Sequence, residues 1–312
     1  MTSFKPEGTL LPTAQNIRIL SSQALLREAC RSGMPLEGRA VLCDSEHNLH
    51  VDLGCMRGII PKNEGALGIE DGSVRDIALI SRVNKAVIFR ITDFGTDKNG
   101  ETYAILSRRS VQEECMREYL SKLVCGDVIE ASVTHMEPFG AFCDVGAGIS
   151  ALLPIDSISV SRIPHPSARF TTGQNIRAVV KSCDELGRLT LTHRELLGTW
   201  EENAARFNAG ETVPGIVRSV EKYGIFVELA PNLAGLAEYC DGVKAGDHAS
   251  VYIKNIMPQR MKIKLVIVDS FSADYPPAPL RYFTDSTHIN RWVYSPEGCE
   301  KTVESVFDNN ED

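Results

Sequence analysis

Phe139-Gly140-Ala141-Phe142-Cys143-Asp144-Val145 returns 84 residues later as Tyr223-Gly224-Ile225-Phe226-Val227-Glu228-Leu229. Each stretch follows an opening glycine by thirteen residues: Gly126-Asp127-Val128 in the first case, Gly210-Glu211-Thr212 in the second. A recurrence of this period means a small domain repeated along the chain. Around the earlier stretch, apolar alternation marks strands at 128–135, 140–146, 150–153, 175–183 and 188–193. Five such strands predict a small closed antiparallel barrel, which leaves no free sheet edge. Gly140 and Gly224 sit where a strand shared by both sides of a barrel must bend.

The repeat divides the 312 residues. Residues 1–35 form a leader with a short helix, Ser21-Ser22 capping Gln23-Ala24-Leu25-Leu26. A degenerate copy spans 36–109, opened by Gly38-Arg39-Ala40-Val41, with His47 and His50 at the ring positions. Within it 49–54, 76–80, 87–91 and 102–107 read as strands, with a turn at Asp97-Lys98-Asn99-Gly100. A helical connector at 110–124 leads to the copy at 125–193. A second, at 194–207, leads to the copy at 208–269. Residues 270–312 are an aromatic extension, expected to pack on the third barrel. Tyr275-Pro276-Pro277-Ala278-Pro279 is extended, 297–307 is expected as a helix, and Asp308-Asn309-Asn310-Glu311-Asp312 as a disordered acidic end.

With 43% hydrophobic and 24% charged residues, the composition is that of an ordinary soluble protein. No apolar run approaches the ~20 residues of a membrane span, and the N-terminus lacks the apolar core of a signal peptide. A cytoplasmic protein with no membrane partner follows. The nine cysteines form no C-x-x-C pair, so zinc and redox sites are not indicated. Cys143 and Cys183 fall in apolar strand patterns and read as small core residues. His47 and His50 have no further ligands nearby, so no metal is expected. Catalytic and phosphate-cradling motifs are missing, and Asp144 and Glu228 occupy equivalent positions of separate barrels, too far apart for joint acid–base work. The expectation is a binding protein, not an enzyme, with no cofactor. The net charge of −8 argues against coating duplex DNA.

The second copy resembles the S1-type RNA-binding domain family. The resemblance rests on Gly126, Phe139-Gly140-Ala141-Phe142, Asp144, Gly146 and Gly187-Arg188-Leu189-Thr190-Leu191. Trp200-Glu201-Glu202-Asn203, followed by Phe207 and Gly210, is similar to the linker between repeats of ribosomal members. The resemblance implies tandem OB-type barrels with RNA across strands two and three. It implies Phe139 and Phe142 as stacking rings and Asp184 and Arg188 as a polar pair, with Tyr223, Phe226 and Lys262 as their counterparts in the third copy. The histidine that the family carries in strand three is missing: Leu153-Pro154 and Ala237-Glu238 stand there. The implied partners are single-stranded RNA, messenger RNA in particular, and the small ribosomal subunit.

Each of these residues also has a plainer reading. Phe139 and Phe142, three apart, face opposite ways on a regular strand unless the bend at Gly140 resets the alternation. Arg188 and Thr190, and likewise Lys262 and Lys264, alternate with apolar neighbours and point outward, either toward RNA or as a solvated face. Lys222, Lys254 and Arg218 add to the third copy's positive face, and His135 is a candidate peripheral phosphate contact. Two other functions stay open: a protein-interaction module using the same rings, and an adaptor that recruits a nuclease for RNA turnover.

Overall fold

The structure is a computed structural model and describes residues 4–307; the acidic end at 308–312 lies outside the described residues. The chain forms two compact units, Met1–Leu123 with Asp144–Ser150, and Val124–Cys143 with Ala151–Asp312.

The leader of the first unit holds two helices where one was expected, α1 (Ala14–Leu20) and α2 (Gln23–Ser32). Tertiary contact rescues the seven-residue α1, which is short for a helix to form alone. Asn16 exchanges two hydrogen bonds with the Glu37 backbone, at 2.8 and 3.0 Å. The barrel follows as β1 (Leu36–Cys43), β2 (Leu49–Asp52), β3 (Arg57–Ile60), β4 (Ala86–Thr96) and β5 (Thr102–Ser107), in the order β1-β2-β3-β5-β4. The strand expected at 76–80 is instead one helical turn, α3 (Ile77–Ile80), between β3 and β4. The barrel already closes without it, and the turn satisfies its backbone locally, Ile80 N donating to Asp76 O at 3.2 Å. The connector helix α4 (Arg109–Glu118) ends the unit.

Residues 7–11 are half-buried against this unit and held there by two carboxylates. The Glu7 carboxylate, buried with Arg108, accepts from its guanidinium at 2.6 and 3.1 Å and from Arg82 at 2.9 Å. Glu37 Oε2 accepts from the amides of Gly8, Leu10 and Leu11. The leader is therefore tied to the barrel by the buried ion pairs of Glu7 and by amide bonds to Glu37.

The second unit carries two barrels. The first has β6 (Val128–Glu137), β7 (Gly140–Asp144), β8 (Ser150–Pro154), β9 (Asn175–Cys183) and β10 (Leu189–Thr192). After α5 (Trp200–Ala204), started by a Thr199/Glu202 capping box, come β11 (Thr212–Glu221), β12 (Gly224–Ala230), β13 (Leu233–Ala237), β14 (His248–Met257) and β15 (Lys262–Phe271). All three barrels have the same strand order. The expected all-antiparallel pairing is corrected in each: the third and fifth strands close the barrel in parallel, Thr190 against Leu152 and Leu236 against Lys264. Tandem OB-type barrels are the fold.

The extension differs from expectation in two ways. Residues 297–307 form no helix; β16 (Arg291–Val293) pairs with β17 (Glu304–Val306) around a turn containing Gly298 at φ +73°. The extension also packs on both barrels of its unit. Trp292 and Tyr294 join the core of the third barrel, while Phe307 packs with Val179 and Leu196, and Tyr282 OH accepts from the Arg177 amide. Cys143 is buried as expected, but Cys183 is exposed, because it ends β9 where the strand leaves the barrel.

Candidate nucleic-acid interface

Phe139 stands just outside β7, and Gly140 opens the strand. A Cβ at Gly140 would lie 2.5 Å from the Leu153 carbonyl, and one at Gly224 2.6 Å from that of Ala237. Only glycine lets the neighbouring strand come that close. Because the preceding residue lies in the turn, strand alternation does not govern it, and both rings reach one face. Phe139 and Phe142 meet edge to face at 6.0 Å, Tyr223 and Phe226 at 6.2 Å. Phe139 is 56% exposed and Tyr223 71%, with Phe142 and Phe226 half-buried beneath them. T-shaped pairs of this kind hold each other in place and leave ring faces open.

His135 extends the second barrel's cluster, lying nearly parallel to Phe142 at 6.3 Å, with Nε2 at 2.6 Å from Glu137. Arg188 is exposed but paired, Nε donating to Asp184 Oδ2 at 2.7 Å. Asp184 Oδ1 also accepts from the amides of Leu186 and Arg188, so this carboxylate locks the hairpin turn. The Arg188 amide first, then its side chain, holds the Asp184 carboxyl below its usual range. Arg188 and His135 thus each have an acid beside them.

The third barrel is arranged differently. Register places Ser219, Phe226, Leu236, Lys264 and Asn255 in one row across the sheet. Lys222, Lys262 and Lys264 are exposed, and among the described residues none has a carboxylate within ion-pair distance. Lys254 stands 3.9 Å from Glu238. Arg218 does not join the positive face: its guanidinium is turned inward, donating to Glu228 at 2.8 and 3.1 Å. Sequence reasoning missed Leu236, 37% exposed between Phe226 and Lys264; its outward position in the Leu233–Ala237 alternation was the available signal.

In the first barrel the corresponding row is Leu42, His50, Ile59, Ile105 and Asp93. His50 is held by Asp44 at 3.1 Å, and His47, at φ +64°, lies 3.7 Å from Asp76. Both imidazoles are committed to carboxylates, and aliphatic side chains replace the stacking pair.

Residues 122–194 match the S1 RNA binding domain family. The second barrel is an S1 domain. Small ribosomal subunit protein bS1 of Leuconostoc lactis is 29% identical over 234 residues, covering 70% of this chain and 52% of that protein. The bS1 homolog of Bacillus cereus is 33% identical over 231 residues, covering 70% and 56%. The chain thus spans about half the length of these curated relatives and is similar to them over about 70% of its own. A multidomain protein with nucleic acid binding domains from Streptococcus pneumoniae has a TM-score of 0.24 at 13% identity, covering 75% of this chain and 73% of that one. No helix among the described residues is long and apolar enough to cross a membrane, which leaves membrane-spanning strands unaddressed.

Proposed function

We propose that this chain binds single-stranded RNA, messenger RNA in particular, on two stacking platforms of its second unit, and that it does so at the small ribosomal subunit in the cytoplasm. It acts as a binding protein with no chemistry of its own. The observation that carries this reading is the pair of half-exposed T-shaped ring couples, Phe139/Phe142 and Tyr223/Phe226, at equivalent positions of successive barrels. Bases stack on such rings with little regard to identity, at roughly 1–3 kcal/mol each. Lys262, Lys264, Lys222 and Arg188 supply backbone contacts, and His135 extends a stack. Asp184 serves by holding Arg188 and its turn. Two moderate sites on one chain gain through effective concentration. The similarity to bS1 proteins supports the ribosomal part.

The test is oligo(U) binding at low salt by the wild type and by a variant with Phe139, Phe142, Tyr223 and Phe226 all replaced by alanine. Loss of at least about a hundredfold supports the reading; wild-type protein that does not bind at all overturns it. Co-sedimentation with the small subunit tests the ribosomal part, and association with a nuclease alone would favour the turnover adaptor. A protein-docking reading is favoured for the first barrel only, where Leu42, 51% exposed, with Ile59 and Ile105 forms an aliphatic row.

A further inference from the structure

The third barrel has a second cluster of rings at the opposite end of its long hairpin. His248 opens β14 and lies nearly parallel to Phe271 of β15, 6.0 Å apart at 22°, while Tyr275 meets His248 edge to face at 4.9 Å and 81°. Phe271 is 46% exposed and Tyr275 62%. The second barrel's platform also holds an imidazole nearly parallel to a phenyl ring (His135 and Phe142, 20°), although its edge-on ring, Phe139, meets the phenyl ring (88°) where Tyr275 meets the imidazole. Both clusters thus combine a nearly parallel imidazole–phenyl pair with one edge-on ring.

The two ends of the hairpin are joined by register along its outer face. Lys264 pairs with Asn255, then Val266 with Tyr252, Asp269 with Ser250, and Phe271 with His248. Tyr252 and Val266 are 39% and 40% exposed, so the path between the ends is open and itself offers a ring. The seven steps of strand from Lys264 to Phe271 span about 23 Å at ~3.3 Å per residue. An exposed path of this kind, apolar at Tyr252 and Val266 and polar at Ser250 and Asp269, offers a contact surface on the barrel wall.

We propose that His248, Phe271 and Tyr275 form a second nucleobase-stacking station, reached from the Phe226 platform along the outer face of β14 and β15 by way of Tyr252. The strip takes single-stranded RNA that runs on beyond the first platform. This rests on the RNA-binding reading above and lengthens the site of the third barrel within the ~4–16 nucleotides typical of one OB fold. RNA is favoured over a protein strand because the strip is continuous with the lysine-bearing row and carries a nearly parallel imidazole–phenyl pair like that of the other platform.

The test uses the full chain with a uridine hexamer and a uridine dodecamer. Phe271→Ala with Tyr275→Ala is expected to weaken the dodecamer on the order of tenfold and leave the hexamer unchanged. Tyr223→Ala with Phe226→Ala should weaken both. Phe271→Trp supplies an independent readout, the fluorescence of the introduced indole quenched by the dodecamer and not by the hexamer. Equal dodecamer affinity with and without the two rings, together with an unquenched indole signal in the Phe271→Trp variant, overturns the second station while leaving the platform reading intact. No binding of either oligomer by the wild type overturns both. Unchanged RNA binding with loss of a protein partner in the same double variant assigns the strip to protein and overturns the proposal.

Discussion

Arg169, in the loop between β8 and β9, donates to Glu228 of β12 at 2.5 Å, and each of these side chains is 5% exposed. Arg218 reaches the same carboxylate from β11, so one buried anion serves two guanidiniums from two barrels. Asn232 adds neutral bonds beside it, donating to Arg194 O and Gly198 O at 2.8 Å each and accepting from Val160 N. Tyr294 of the extension donates to the Asn232 carbonyl at 2.6 Å. The two platform-bearing barrels are therefore joined by a desolvated polar network that functions only when complete.

Removing the shared anion is expected to cost most. Glu228→Gln keeps the shape and leaves two buried guanidiniums facing each other, a loss of about 3–5 kcal/mol. Arg169→Met leaves Glu228 its two bonds to Arg218 and should cost less than half of that. Urea unfolding followed by fluorescence of Trp200 and Trp292, both buried in this unit, measures the difference. Equal losses for the two variants would contradict the shared-anion account.

Near-neutral pH should loosen the leader. Burial, helped by the nearby charge of Glu7, pushes the Glu37 carboxyl up to about 7 against the pull of three amides. Its folded value exceeds the unfolded one near 4.5, so the protonated form favours the fold. That stability is complete below about pH 4.5 and is lost as pH rises toward 7, about 3 kcal/mol in all. Asp144, raised to about 6 by burial and by Glu7, acts in the same direction at lower pH. Glu7 is held low by Arg108 and Arg82 despite its burial, and its stability disappears only in acid. Hydrogen exchange at Leu10 and Leu11 should therefore quicken between about pH 5 and 7.5 beyond its intrinsic change. Glu37→Gln should flatten that rise; an unaltered rise in the variant would refute it.

Much of this architecture was legible because it rests on local signals. The glycine spacing and strand alternation placed the barrels, and the Phe139 and Tyr223 motifs located the two T-shaped ring pairs. What escaped was decided by distant partners. Arg218 reads as a surface cation until Glu228 and Arg169 surround it, and α1 is too short to announce itself without the Asn16 bonds to Glu37. The 297–307 stretch has helix-forming residues, yet Trp292 and Tyr294 gain more by burial against the third barrel, and the chain turns back as a hairpin. Parallel closure between third and fifth strands leaves no trace in alternation at all.

Gly140→Ala and Gly224→Ala test whether the platforms depend on close strand approach. Each new methyl would meet a backbone carbonyl at 2.5 or 2.6 Å, and Gly224 also sits at φ +150°. Backbone must move, at a cost of about 1–3 kcal/mol, and the ring pair moves with it. Weaker oligo(U) binding should accompany the stability loss in both variants. Stability lost with full affinity kept would show that ring placement is independent of the glycine.

Salt dependence should separate the two platforms. Each lysine that meets a phosphate contributes about 0.7 to the slope of log affinity against log salt. Lys222, Lys262 and Lys264 lack acidic partners among the described residues, so glutamine at each should lower the slope by about that amount. Arg188→Gln should lower it less, because Asp184 already neutralises this guanidinium at 2.7 Å. Asp184→Asn gives the opposite sign. The amide oxygen can still accept from the Leu186 and Arg188 amides, the charge beside Arg188 is gone, and binding at low salt should strengthen about threefold, the scale of one exposed ion pair. Weaker binding by Asp184→Asn, with the hairpin still folded by amide chemical shifts, would mean that the carboxylate itself touches RNA and that its role is not confined to the turn.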